Sequence, residues 1–244
     1  MFMFVIININ QFIIQPIDTT KRLLGFFNKI SQESDEEIVS FNKENSELFK
    51  HRFGENVVTI PNPKGFVRLT TDSIKTRTFK EANIRDGFRN LQFYIPKEDC
   101  QKFEDDNEFL PETFLILSEP SAEIFKNVTN ELFDDMEKQF KRDVESEFAS
   151  LKEAFIDARV QYPELQSTEV ESLGTVRVNK NFFHHATQVK DYSVFGLEYV
   201  NLAVGHLKFK NSLLVLYAQS PTFKGASEKR ITQWAEEITN ANIR

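Results

Sequence analysis

A chain of 244 residues, 40% of them hydrophobic, is long enough to bury a full core without disulfide or metal staples. Its net charge of −7 and pI near 5.3 argue against general nucleic-acid binding, which needs a basic footprint to displace counterions. The single cysteine, Cys100, excludes an intramolecular disulfide and a thiolate metal cluster made by one chain, and its acidic setting in PKEDCQKFEDDNE disfavours the thiolate a nucleophile needs.

The N-terminal stretch MFMFVIININQFIIQP is too short and too polar to span a bilayer, and it lacks the basic start and small-residue cleavage site of a signal peptide. A degenerate export signal, a misplaced start and a strand packed on the body all remain open, so exported and cytoplasmic locations do too. Leu23, Leu24, Phe27 and Ile30 have the spacing of a short amphipathic helix. Residues 1–50 are therefore read as an apolar segment with a helical lead-in, and residues 51–244 as a single domain.

In NVVTIPNPKGFVRLT, Pro61 and Pro63 break the run into strand, turn and strand, as a hairpin or a corner. Leu91–Ile95 and Thr113–Leu117 read as further strands, with a solvated acidic loop from Lys97 to Glu112 between them. Ser121 is placed as the cap of a long helix reaching Val160, because Phe125, Val128, Leu132, Met136, Phe140, Val144, Phe148, Leu151 and Phe155 recur every three or four residues. Pro163 stops it. Strands then run from Thr168 to Val178 and from Phe182 to Val189.

In the tail, YSVFGLEYVNLAV and HLKFKNSLLVLYAQS read as two strands meeting at a turn on Gly205, with a second tight turn at Lys210–Asn211. The unbroken apolar run Leu213–Tyr217 marks a central strand covered on both faces. Ile231, Trp234, Ile238 and Ala241 form one stripe of a closing helix, anchored by Trp234. The order of elements predicts an α+β domain, an antiparallel sheet packed by a long central helix and a C-terminal helix. VTIPNPKGFVRL, followed by FKNSLLVLYAQSPTF and WAEEITNAN, resembles a set of uncharacterised bacterial envelope proteins and the Mog1/PsbP-like α/β/α sandwich. The resemblance runs from about Phe53 to Asn242 and supplies no catalytic residues to carry over.

No G-x-S-x-G elbow and no G-x-G-x-x-G or G-x-x-x-x-G-K-[ST] phosphate loop occurs. The paired acids Asp105–Asp106, Asp134–Asp135 and Glu236–Glu237 fall on solvated helix faces or loops, and EDDNE lacks the glycine a calcium loop turns on. Adjacent strand residues point to opposite faces, so a metal site would need His184 or His185 to meet a residue across strands, with His184 and His206 as the candidate pair. From Lys64 to Arg89 the chain is locally basic, with Lys64, Arg68, Lys75, Arg77, Lys80, Arg85 and Arg89 against Asp72, Glu81 and Asp86. Arg68, Arg77, Arg85 and Arg89 are the candidate anion ligands. Two functions compete: a non-enzymatic accessory domain that binds a protein partner, placed at the bacterial envelope by the resemblance, and an anion-binding protein or hydrolase built from dispersed Arg and His residues. Neither requires a cofactor.

Overall fold

The computed structural model describes residues 48–53, 56–70, 73–83, 87–106, 109–121, 125, 127–142, 168–193, 196–222 and 225–243. The apolar N-terminal segment, the lead-in helix at 23–30, Arg85 and the portion of the long helix beyond 142 lie outside them. In chain order the elements are β1 (Leu48–Phe53), β2 (Asn56–Pro61), β3 (Phe66–Arg68), α1 (Ile74–Ala82), β4 (Phe88–Pro96), α2 (Lys97–Asp105), β5 (Phe114–Pro120), α3 (130–142), β6 (Thr168–Asn179), β7 (Phe182–Ser193), β8 (Gly196–Phe209), β9 (Ser212–Ser220) and α4 (Ala226–Ala241). Strands β3 to β9 form one antiparallel sheet in the order β3-β4-β5-β9-β8-β7-β6, and β1–β2 is a separate hairpin. The fold is α+β.

β9 occupies the middle of the seven strands, as its apolar run predicts. Leu213, Val215 and Tyr217 enter one core with Phe79 of α1, Phe103 of α2 and Phe133 of α3, while Leu214, Leu216 and Ala218 enter a second core with Ile231, Trp234 and Ile238 of α4. Strand alternation thus divides the protein into three layers: α1–α3 on one face, the sheet, and α4 with the β1–β2 hairpin on the other.

Trp234 is 1% exposed, meets Tyr94 edge-on at 5.1 Å and donates its indole N–H to the Pro61 carbonyl at 3.0 Å. Buried Asn201 on β8 tethers the start of α4, accepting from the Ser227 amide through its side chain at 2.8 Å and from the Ser227 hydroxyl through its carbonyl at 2.7 Å. At the other end the Asn242 side chain accepts from the Thr59 amide at 2.8 Å and donates to the Thr59 carbonyl at 2.6 Å, as a neighbouring strand would. Helix and hairpin are therefore locked as one layer.

Several elements depart from the sequence reading. Gly205 is no turn: β8 runs straight through it, and the chain reverses at Lys210–Asn211. A Cβ at Gly205 would sit 2.6 Å from the Phe182 ring and 3.2 Å from Ile231 Cδ1, so glycine is there for close approach under α4. The acidic run after Pro96 is helix α2 and not a loop. Glu98 and Asp99 sit in its first turn, where the helix dipole favours acids, and Phe103 gives it a buried anchor. Helix α3 begins at residue 130 and not at Ser121, with the Thr129 hydroxyl accepting from the Leu132 amide at 3.2 Å as the cap. Before it, the Val128 amide donates to Asn211 at 2.6 Å, which fastens this stretch to the β8–β9 turn. The prolines of NVVTIPNPKGF make a corner: β2 pairs with β1, and β3 joins the large sheet. On α4 the buried stripe includes Ala235 while Ala241 is exposed.

Candidate functional site

A sheet that ends in solvent leaves main-chain donors and acceptors unpaired, and its two edges meet this differently here. β6 is twelve residues long, and no strand pairs with its outer side among the described residues. It is interrupted by register shifts at Ser172/Gly174 and Arg177/Asn179, with Gly174 at φ 87°. Arg177 crosses its end, donating through Nε to the Asn179 carbonyl and through Nη2 to the Lys180 carbonyl, both at 2.6 Å. The same guanidinium binds Glu137 at 2.6 Å and Asp134 at 2.9 Å on α3. Bulges and a bound charge blunt this edge.

Among the described residues the opposite edge is open. β3 pairs only Phe66–Arg68 with Tyr94–Pro96, adds one bond from the Leu69 amide to the Phe93 carbonyl at 2.9 Å, and then departs for α1. Residues 88–92 of β4 thus have no strand beside them on that side among the described residues. A groove of about 430 Å³ follows this line, with Arg68, Thr70, Lys80 and Gln92 as its polar lining and Leu69, Leu91 and Phe93 as its apolar lining. Asn90 shapes its end, donating to the Asn83 carbonyl at 3.0 Å and accepting from the Ser118 hydroxyl at 2.6 Å.

Of the arginines singled out in the sequence, Arg68 lines this groove. It lies across from Tyr94 on the face of the sheet that carries α4, with its guanidinium 5.8 Å from the centre of the Phe49 ring. Its Nε and the Tyr94 hydroxyl are buried without hydrogen-bond partners. Burial raises the Tyr94 pKa, and the nearby Arg68 charge opposes the rise. Arg89 is committed elsewhere: its Nε donates to Glu119 at 2.6 Å, and the same carboxylate takes His51 of the hairpin at 3.0 Å. Arg77 sits on the exposed side of α1, and Arg85 falls outside the described residues. Lys80, Gln92 and Thr70 were not among the candidate ligands. Only the basic run pointed towards Lys80, and nothing in the sequence marks the other two.

The structure does not bring His184 and His206 together. Register sets His184 opposite Gly205, on the α4 face, and His206 opposite Phe183, on the α1–α3 face. Among the described residues no group of three or more His, Cys, Asp or Glu side chains could hold a metal ion. The histidines that do share a face are His185 and His206, with Phe140 of α3 at 5.9 Å and 4.9 Å from their rings. His206 also stacks on Phe183 at 4.7 Å, and its Nδ1 is buried without a partner. Desolvation pushes its pKa down to about 3, with neighbouring His185 adding to the effect. His185 falls to about 4, chiefly by desolvation and then by the His184 charge, while a hydrogen bond that the ring donates to the Gly174 backbone opposes the fall. Both rings are neutral core groups at ordinary pH. Two strands separate β8, and three separate β7, from the groove strand β4.

Two other titratable groups are tied into the helical layer. Lys75 donates to the Phe103 and Asp106 carbonyls at 2.6 Å each, closing the end of α2, and desolvation lowers its pKa to about 8 against the pull of Asp106. Desolvation and then the Glu104 charge raise the Cys100 pKa, which keeps the thiol protonated. No helix among the described residues is long and apolar enough to cross a membrane.

No family model matches the chain, and no curated protein matches it. Among solved structures, a point mutant of the protein Mog1 is similar at 12% identity and a TM-score of 0.30, over 79% of this chain and 88% of that one.

Proposed function

We propose that the chain is a non-enzymatic binding domain that receives a protein partner along the open β4 edge of its sheet. The observation that carries this reading is the groove of about 430 Å³ running along that edge; β4 has one irregularity there, at Asn90/Gln92, while the other edge is bulged twice and clamped by Arg177. An extended segment entering the groove continues the line of β3 and pairs its main chain with residues 88–92, while neighbouring side chains meet the groove walls. The likeness of VTIPNPKGF to envelope proteins adds an accessory role at the bacterial envelope to this reading.

Photo-crosslinking in the native cell tests it. A photoreactive residue at Thr70, in the groove, is expected to give an adduct that maps to one continuous segment of a single partner and disappears with Arg68→Glu. The same residue at Val176, on the clamped edge, is expected to give none. Adducts from Val176 alone, or from neither position, overturn the proposal.

A further inference from the structure

Resting on that reading, we infer that the segment received at the β4 edge is acidic, with carboxylates on alternate residues and Arg68 as the group that binds them. Along a strand, side chains alternate between faces, so a segment continuing β3 repeats the β3 pattern as far as the irregularity of β4 at Asn90/Gln92. One set of its side chains falls on the face of Leu69 and Phe93, which belong to the core beneath α1–α3. The other set falls on the face of Arg68 and Tyr94. Apolar residues suit the first set and anions the second.

Arg68 is prepared for an anion in a way that Arg89 is not; Arg230 also keeps a buried nitrogen without a partner over an aromatic ring, Phe66, but does not line this groove. Arg89 already holds Glu119, whereas Arg68 keeps a buried Nε without a partner and rests against an aromatic ring. A half-buried guanidinium with an unfilled donor is costly in isolation, and a carboxylate presented in its plane satisfies two donors at once. Lys80 lines the groove from α1, on the other face of the sheet, and the segment 64–89 carries seven basic residues against three acids in a chain whose net charge is −7. The long-range field at the groove therefore favours negative segments.

The test uses the whole chain and a blocked eight-residue peptide of alternating valine and glutamate, with fluorescence anisotropy as the readout. The glutamate peptide is expected to bind about tenfold more tightly than its glutamine counterpart, the scale of one charge-assisted contact. In Arg68→Gln the two affinities are expected to converge to within about twofold, with Arg68→Lys intermediate. An unchanged urea midpoint in these variants shows that the fold is intact. N-methylation of alternate peptide nitrogens is expected to abolish binding. If both peptides bind equally and N-methylation still abolishes binding, the role of Arg68 falls while docking at the edge stands. If N-methylation has no effect and inorganic phosphate displaces the peptide, the groove is a small-anion site and both proposals fall. Both fall as well if neither peptide binds at about millimolar concentration.

Discussion

The two faces of the sheet hold their helices by different means. On the α4 face one helix is seated by Trp234, by the flat approach over Gly205, and by an asparagine at each end, Asn201 and Asn242. On the other face three helices share a broader core rich in phenylalanine, yet it includes His185 and His206 with their rings against Phe140, and its rim is drawn in by Arg177 binding Asp134 and Glu137. The first face depends mainly on shape, with one buried histidine, His184, whose pKa desolvation lowers, while the second holds two such histidines, His185 and His206, whose pKa values fall to about 4 and about 3. Substitution should therefore damage the α4 face at any pH, while acid should act more strongly on the face beneath α1–α3 than on the α4 face with its single His184.

The largest expected effect is at Trp234. Trp234→Ala removes the largest fully buried side chain together with its bond to Pro61, and should cost about 3–5 kcal/mol in urea unfolding. A loss below about 1 kcal/mol would mean that α4 is held mainly by its ends. Gly205→Ala comes next, at about 1–3 kcal/mol, because the added methyl meets the Phe182 ring inside a filled layer. An unchanged midpoint there would show that Phe182 moves aside freely and that the tight seating of this face is overstated.

The third effect is conditional on pH. Burial holds His206 at about 3 in the folded chain, against an ordinary 6.5, so the unfolded chain takes up its proton first as pH falls. The stability contributed by the neutral ring is complete above pH 6.5 and is lost progressively between there and about pH 3. Going from about pH 7.5 to pH 5, wild type should lose about 2 kcal/mol more than His206→Leu, which has no ring to protonate. Equal losses in the two proteins would remove the proposed difference between the faces. Glu137, whose pKa the Lys141 and Arg177 contacts lower despite burial, weakens with acid in both proteins and cancels in this comparison.

Much of the framework was readable in advance. The strands predicted at 168–178 and 182–189 appear as β6 and β7, the run Leu213–Tyr217 sits in the middle of the sheet, and Trp234 anchors the last helix. These features follow from periodicity, which is local. The errors share a cause as well. Gly205 looked like a turn because glycine usually relieves backbone strain, whereas here it makes room for Phe182 from the neighbouring strand. Lys97–Asp105 looked like a loop because its apolar stripe is narrow, and it becomes a helix once Phe103 is buried and Lys75 closes its end. The groove was least legible of all. Arg68 and Arg89 are equivalent as sequence, and they differ only because Glu119 lies within reach of one of them.

What the amino-acid order determined by itself was the alternation of strands and the stripe of α4, because side-chain period is a property of a short stretch of chain. Only tertiary structure decided which glycine lies in a turn, which histidines share a face and which sheet edge stays open among the described residues. Each of these depends on the register between strands far apart in the chain, and a shift of one residue in that register exchanges the two faces.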